Sequence, residues 1–168
     1  YVCAFELEAD AERFYRVLGD RLGKFGLEVA AEKTNLIRFS PLNWKASGAF
    51  AFLGFEFRWG RGRWGQSVVK RRTARNKYRA SLASFQDWCR KHCRLPKAVL
   101  FAKLNAKLRG YYQYYGIRGN FESLADFYHH ARRLLFRSLN RRSQRRSYNW
   151  KGFAELIKVF RLERPRIC

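Results

Sequence analysis

The sequence predicts an α+β chain: a helix over a small antiparallel sheet plus a hairpin, followed by a basic bundle of helices. Two observations predict it. Up to about residue 70 the apolar residues mostly alternate or form short runs, and from residue 71 they recur at the three-to-four spacing of amphipathic helices. The charge is lopsided in the same way, since residues 1–70 hold 11 basic and 8 acidic side chains and residues 71–168 hold 25 and 5. The expected divisions are 1–70, 71–147 for the bundle, and 148–168 for a short carboxy-terminal helix and tail.

Tyr1 to Phe5 reads as a short strand, and Phe14, Val17, Leu18, Leu22 and Phe25 then fall at helical spacing over 11–24, with Gly26 as the stop. Leu27 to Val29 is expected to be extended, and Asn35 to Phe39 reads as another strand after the polar turn Ala31-Glu32-Lys33-Thr34. A loop through Pro41, Asn43 and Gly48 leads to an aromatic alternation, Phe50 and Phe52, then Phe55, Phe57 and Trp59. Its one-residue phase slip at Leu53-Gly54 predicts a bulge. Gly60-Arg61-Gly62 is the expected turn of a hairpin returning through Trp64 to Val69.

From Arg71, Tyr78, Leu82, Phe85 and Cys89 form one helical stripe and Arg72, Arg75 and Arg79 another. A second helix starts at Pro96 and is expected to bury Leu100, Leu104, Leu108, Tyr111 and Tyr115. A third, capped by Asn120, uses Leu124, Tyr128, Ala131, Leu135 and Leu139. After Arg141-Arg-Ser-Gln-Arg-Arg, a last helix places Phe153, Leu156, Ile157 and Phe160 on one face, and Pro165 closes it.

A formal charge of +23 repels itself unless a polyanion neutralises it, and aromatic residues at 17% interleave with the arginines. Nucleic acid is the expected partner, ahead of a membrane surface or a merely solvated basic face. The longest apolar stretch, Ala49 to Phe55, is too short to cross a bilayer. Cys3, Cys89, Cys93 and Cys168 lack zinc-site spacing, although Cys89, His92 and Cys93 fall on neighbouring turns; free thiols in a reducing cytoplasm are expected. The lack of methionine, with Tyr1 at the start, leads us to expect a piece of a longer product.

Six stretches, in order, resemble the reverse transcriptase/maturase proteins of bacterial group II introns. They are Phe25-Gly-Leu-Glu-Val with Glu32-Lys-Thr, Phe52-Leu-Gly-Phe, Arg109-Gly-Tyr-Tyr-Gln-Tyr-Tyr-Gly, Gly119-Asn-Phe, Arg141-Arg-Ser-Gln-Arg-Arg and Arg164-Pro-Arg-Ile. The resemblance implies that residues 1–70 are the end of a polymerase palm and the bundle its thumb, or maturase domain. Val2 to Phe5 and Ala11 to Phe14 match the segment that follows the family's Tyr-Ala-Asp-Asp motif, so upstream fingers and palm are expected to be missing. The Mg²⁺ of the intact enzyme is held by such carboxylates, and none is expected on this chain alone. Glu6, Glu8, Asp10 and Glu12 suit a solvated strand end and helix start instead.

By the same resemblance, Lys33 lies near the incoming nucleotide's phosphates in the intact enzyme, with a charge or leaving-group role; otherwise it is a turn lysine in solvent. Phe52, Leu53, Gly54 and Phe55 resemble the primer grip, where the glycine admits a close backbone, and the two rings double as core anchors. Nucleic-acid contacts are expected at Lys70, Arg71, Arg72, Arg75, Arg79, Arg109, Tyr112, Arg141, Arg142, Arg145 and Arg146. The implied partners are group II intron RNA and an RNA/DNA template–primer duplex. The implied activity is RNA-directed DNA polymerisation, with this chain inactive alone. The other readings are a stand-alone RNA-binding or splicing-cofactor module, an inactive remnant, and a basic RNA-packaging protein, the last of which leaves the ordered motifs unexplained.

Overall fold

The computed structural model describes residues 1–42, 48–141 and 147–168. It is α+β, with one three-stranded antiparallel sheet and five α-helices among those residues. The chain forms two compact units, Tyr1–Gly48 and Ala49–Cys168.

In the first unit, helix α1 spans Glu8–Gly23, with Glu8 and Asp10 in its first turn and Arg21 in its last, each complementing the helix dipole. Gly26, at φ +68°, ends it in a Schellman arrangement: Leu27 N donates to Leu22 O and Gly26 N to Gly23 O. Phe5 packs its ring 5.2 Å from that of Phe14. A 3₁₀ turn at Ala31–Lys33 sits where the polar turn is expected, and Thr34 Oγ1 donates to Ala30 O. The expected strands at 1–5 and 35–39 are corrected. Neither they nor 27–29 joins a β-ladder among the described residues, because an extended run becomes a strand only beside a partner that takes its backbone groups.

The second unit opens with the sheet, β1 Phe50–Phe52, β2 Phe55–Arg61 and β3 Ser67–Thr73, in the order β1-β2-β3. Here the expected bulge is a turn. Phe52 pairs with Phe55, and both residues between them lie at positive φ, Leu53 at 48° and Gly54 at 81°, as a two-residue type I′ hairpin requires. The second reversal lies over Gly62–Gln66, two residues later than expected. Gly65 N donates to Gly62 O, Gly62 N to Gln66 O, and Gly65 takes φ +79°. That is a three-residue loop closed by a left-handed glycine.

Four helices follow: α2 Arg75–His92, α3 Lys97–Tyr115, α4 Phe121–Asn140 and α5 Trp150–Val159. Helix α3 is central. Leu100, Phe101, Leu104, Leu108, Tyr112 and Tyr115 are buried along one face, an arc of about 120° at the helical period. Phe85 and Cys89 of α2 and Leu124, Phe127, Ala131, Leu135 and Leu139 of α4 complete the core. Full burial of each such aliphatic or aromatic side chain contributes about 1.5–3 kcal/mol. Phe160 stacks on Phe101 at 4.7 Å, and Phe136 stacks on Trp150 at 4.0 Å, which fixes the carboxy-terminal end to the bundle.

Three asparagines join parts distant in sequence. Buried Asn120 accepts from Thr73 N at 2.8 Å and donates to Thr73 Oγ1 and Tyr115 O, tying the end of β3 to the α3–α4 link. It stands at the expected cap position, but its side chain reaches across the fold rather than capping α4. Asn140 exchanges two hydrogen bonds with the backbone of Tyr148. Asn105 donates to Phe160 O and Arg161 O and accepts from Glu163 N, holding Arg161 at φ +46°.

Candidate nucleic-acid interface

The alternation of the β2–β3 ladder sorts its charges onto two faces. Phe55, Phe57 and Trp59 pair with Thr73, Arg71 and Val69; Phe55 lies in the core and Phe57 packs against it. On the other face Glu56 pairs with Arg72, Arg58 with Lys70 and Gly60 with Val68. The expected helical stripe of Arg72, Arg75 and Arg79 is therefore corrected at its first member: Arg72 lies on β3 with Lys70 and Arg71, and Arg71 points away from the other two. The strand persists there because its backbone completes the ladder as far as Phe55–Thr73, whatever the side-chain pattern.

Arg72 Nε donates to Glu56 Oε1 at 2.9 Å. Arg58 and Lys70, both exposed, stand directly opposite with like charge, an arrangement that costs stability until an anion lies across them. The Lys70 stem runs over Gly60, where an added Cβ would meet its Cδ and Cε at 2.9 Å. Arg75 and Arg79, one turn apart at the start of α2, are also exposed.

A second basic strip was not singled out in the sequence. Arg133, Arg137 and Arg141 recur every four residues on α4 and at its end. Arg133 and Arg137 join His130 along a groove of about 440 Å³ against Leu82, Ala83 and Gln86 of α2. His130 Nδ1 lies 2.9 Å from Asp126 O, so a proton on Nδ1 is donated there and Nε2 is the nitrogen left over. The four-residue arginine period was the available signal.

The remaining expected contacts are placed as follows. Arg109 is half exposed but faces Glu163 at 3.7 Å, so part of its charge is already answered. Tyr112 is corrected from a surface residue to a core one, 1% exposed; Tyr114 takes the outward position. The Tyr114 hydroxyl donates to Leu53 O at 3.1 Å, and Gly54 lies where a Cβ would be 3.5 Å from the Tyr115 hydroxyl. The Phe52-Leu-Gly-Phe turn is thus docked on α3, with Phe52 half-buried and Leu53 exposed. Lys33 is exposed on the 3₁₀ turn of the first unit. Arg142, Arg145 and Arg146 lie outside the described residues.

Ionisable groups inside the bundle are held neutral. Burial pushes the Cys89 thiol up to about 12, with Cys93 adding to the rise and Lys107 opposing it. Burial likewise raises Tyr111 and Tyr112, and to a lesser degree Tyr78 and Tyr115. His92 Nδ1 is occupied by Trp88 O, and the Cys93 thiol donates to Arg90 O. Among the described residues no three His, Cys, Asp or Glu side chains gather as metal ligands, and no helix is long and apolar enough to cross a membrane.

Residues 78–154, from α2 into α5, match the family model described as the group II intron, maturase-specific domain. No curated protein and no solved structure matches the chain.

Proposed function

We propose, from the match of residues 78–154 to the group II intron, maturase-specific domain, that the chain binds the structured RNA of a group II intron to promote splicing. The observation that supports this best is the distribution of charge. The compact unit holding the matched domain has 29 basic and 6 acidic side chains, whereas residues 1–48 have seven of each. Arg58 and Lys70 on the sheet, Arg75 and Arg79 at the start of α2, and Arg133, Arg137 and Arg141 along α4 offer exposed cations without a base-reading element, which suits shape and phosphate recognition of A-form RNA.

We further propose that this module works as the thumb of an RNA-directed DNA polymerase, clamping template–primer duplex beside the Leu53-Gly54 turn, with Lys33 near the nucleotide phosphates. The Mg²⁺ such chemistry uses has no matching cluster of donors among the described residues, so no polymerisation step is assigned to the chain itself. Binding of the purified chain to a group II intron RNA and to an unstructured RNA of equal length, across a salt titration, tests the proposal. Selective, salt-sensitive binding to the intron without cDNA synthesis supports it. Equal binding to both RNAs reduces it to generic attraction.

A further inference from the structure

Trp64 is the most exposed aromatic residue among those described, at 83%. It stands in the loop that joins β2 to β3, and that loop is braced without its ring. Gly62 N donates to Gln66 O and the Trp64 amide donates to Gln66 Oε1 at 3.0 Å. The Gln66 side chain folds over Gly62, where an added Cβ would lie 2.7 Å from its Cδ. The indole takes no part in these contacts. Beside it, the Arg63 guanidinium carbon lies 5.5 Å from the ring centroid. Residues 57–73, which hold both long strands and the loop, have six basic side chains and no acidic one. Arg58 and Lys70 lie on one face of this hairpin and Arg61 on the other, so the tip is approached through positive potential from either side.

We propose that Trp64 is a stacking platform for an unpaired base of bound RNA, with Arg61 and Arg63 meeting the phosphates beside that base. A single exposed apolar residue is ordinary on a protein surface. Trp64 differs because a braced loop carries its ring clear of the fold, among cations that no nearby carboxylate answers. A flat base covers the indole while its phosphate meets the arginines, and neither a free phosphate nor an aliphatic ligand does both. A paired A-form helix keeps its bases stacked inside, so the base must come from a loop, a bulge or a strand end. Stacking tolerates any base, in keeping with an interface that otherwise meets phosphate and shape. A membrane surface also suits tryptophan beside arginine, but Gly62, Gly65, Gln66 and Ser67 add almost no apolar side-chain area to the tip, and stable attachment takes more than one ring.

This inference rests on the RNA-binding reading, and its test separates the two. Affinity of the full chain is measured for two RNA hairpins with the same stem and loop length, one loop carrying its bases and the other abasic. The base-bearing loop is expected to bind about tenfold more tightly. Trp64→Ala is expected to abolish that preference and leave the salt dependence unchanged, since no charge is lost, and Trp64→Phe to keep most of the preference. Equal wild-type affinities overturn the inference and leave the RNA-binding reading standing. So does a preference undiminished in Trp64→Ala, or one lost as completely in Trp64→Phe. Binding to phosphatidylserine vesicles that Trp64→Ala abolishes, with the loop preference intact, assigns the ring to a membrane and likewise overturns it. Failure to bind either RNA overturns both.

Discussion

Helices α1 and α2 carry similar amphipathic patterns, but they end in different states. Among residues 1–42 no side chain is fully buried, and Phe14, Val17 and Phe25 of the first unit remain 39%, 52% and 75% exposed. In α2, Phe85 and Cys89 are each 1% exposed. Helical periodicity specifies which residues share a face, whereas burial depends on a second surface arriving at that face. The two units differ in charge as sharply as in burial, since the formal +23 of the chain is the net charge of residues 49–168.

The largest consequence is in local stability. Hydrogen exchange is expected to protect the amides of α3 and α4 at least about a thousandfold more than those of α1, because core elements open only with the whole bundle. Comparable protection in α1 would erase the contrast between the units.

Core substitutions sharpen it. Phe85→Ala is expected to lower stability by about 4 kcal/mol through lost transfer energy and a cavity. Asn120→Ala should cost about 3 kcal/mol, because it strands the buried Thr73 amide and Tyr115 carbonyl. Chemical denaturation measures both, and a cost under about 1 kcal/mol for either would mean that the bundle is loosely packed.

The buried phenols and thiol set the pH dependence. Their ordinary values are 10.0 and 9.0, and burial raises Tyr78, Tyr111, Tyr112, Tyr115 and Cys89 above them. The unfolded chain then gives up these protons first. The stability they supply is complete below about pH 9 and declines as pH rises through 9 to 12. Thermal melts should fall over that range together with the appearance of tyrosinate absorbance, and a flat alkaline limb would contradict the packing of α3. Last and smallest, Phe14→Ala in α1 should change stability by less than about 0.5 kcal/mol, measured on the same denaturation curve as Phe85→Ala.

What was legible in the sequence follows the same division. The four helices of the second unit were readable because their leucines and aromatics keep a helical period whatever they touch, and Phe85, Cys89, Leu100, Leu104, Leu108, Leu124 and Leu135 are buried as expected. The strands were harder, since Lys70-Arg71-Arg72 has no apolar alternation and is fixed by its pairing with β2. At Leu53-Gly54 a bulge and a type I′ turn shift the alternation alike, and leucine is not the residue usually found at the first turn position. Tyr112 lies at the edge of the stripe set by Leu100, Leu104, Leu108, Tyr111 and Tyr115, where the helical period alone does not decide whether a ring is covered. Arg133 and Arg137 stand within the apolar pattern of α4, so only their four-residue period marks them, in contrast to the arginine-rich run from Arg141.

The most direct test of the RNA-binding proposal is the slope of log affinity against log salt for one group II intron RNA, compared between two charge-matched double variants. Arg133→Gln with Arg137→Gln alters the basic strip of the second unit, and Arg16→Gln with Arg21→Gln alters the neutral first unit. The first pair is expected to flatten the slope by about 0.9 for each lost contact, and the second to leave it unchanged. An equal flattening by both pairs would show that total charge, not the surface of residues 49–168, attracts the RNA.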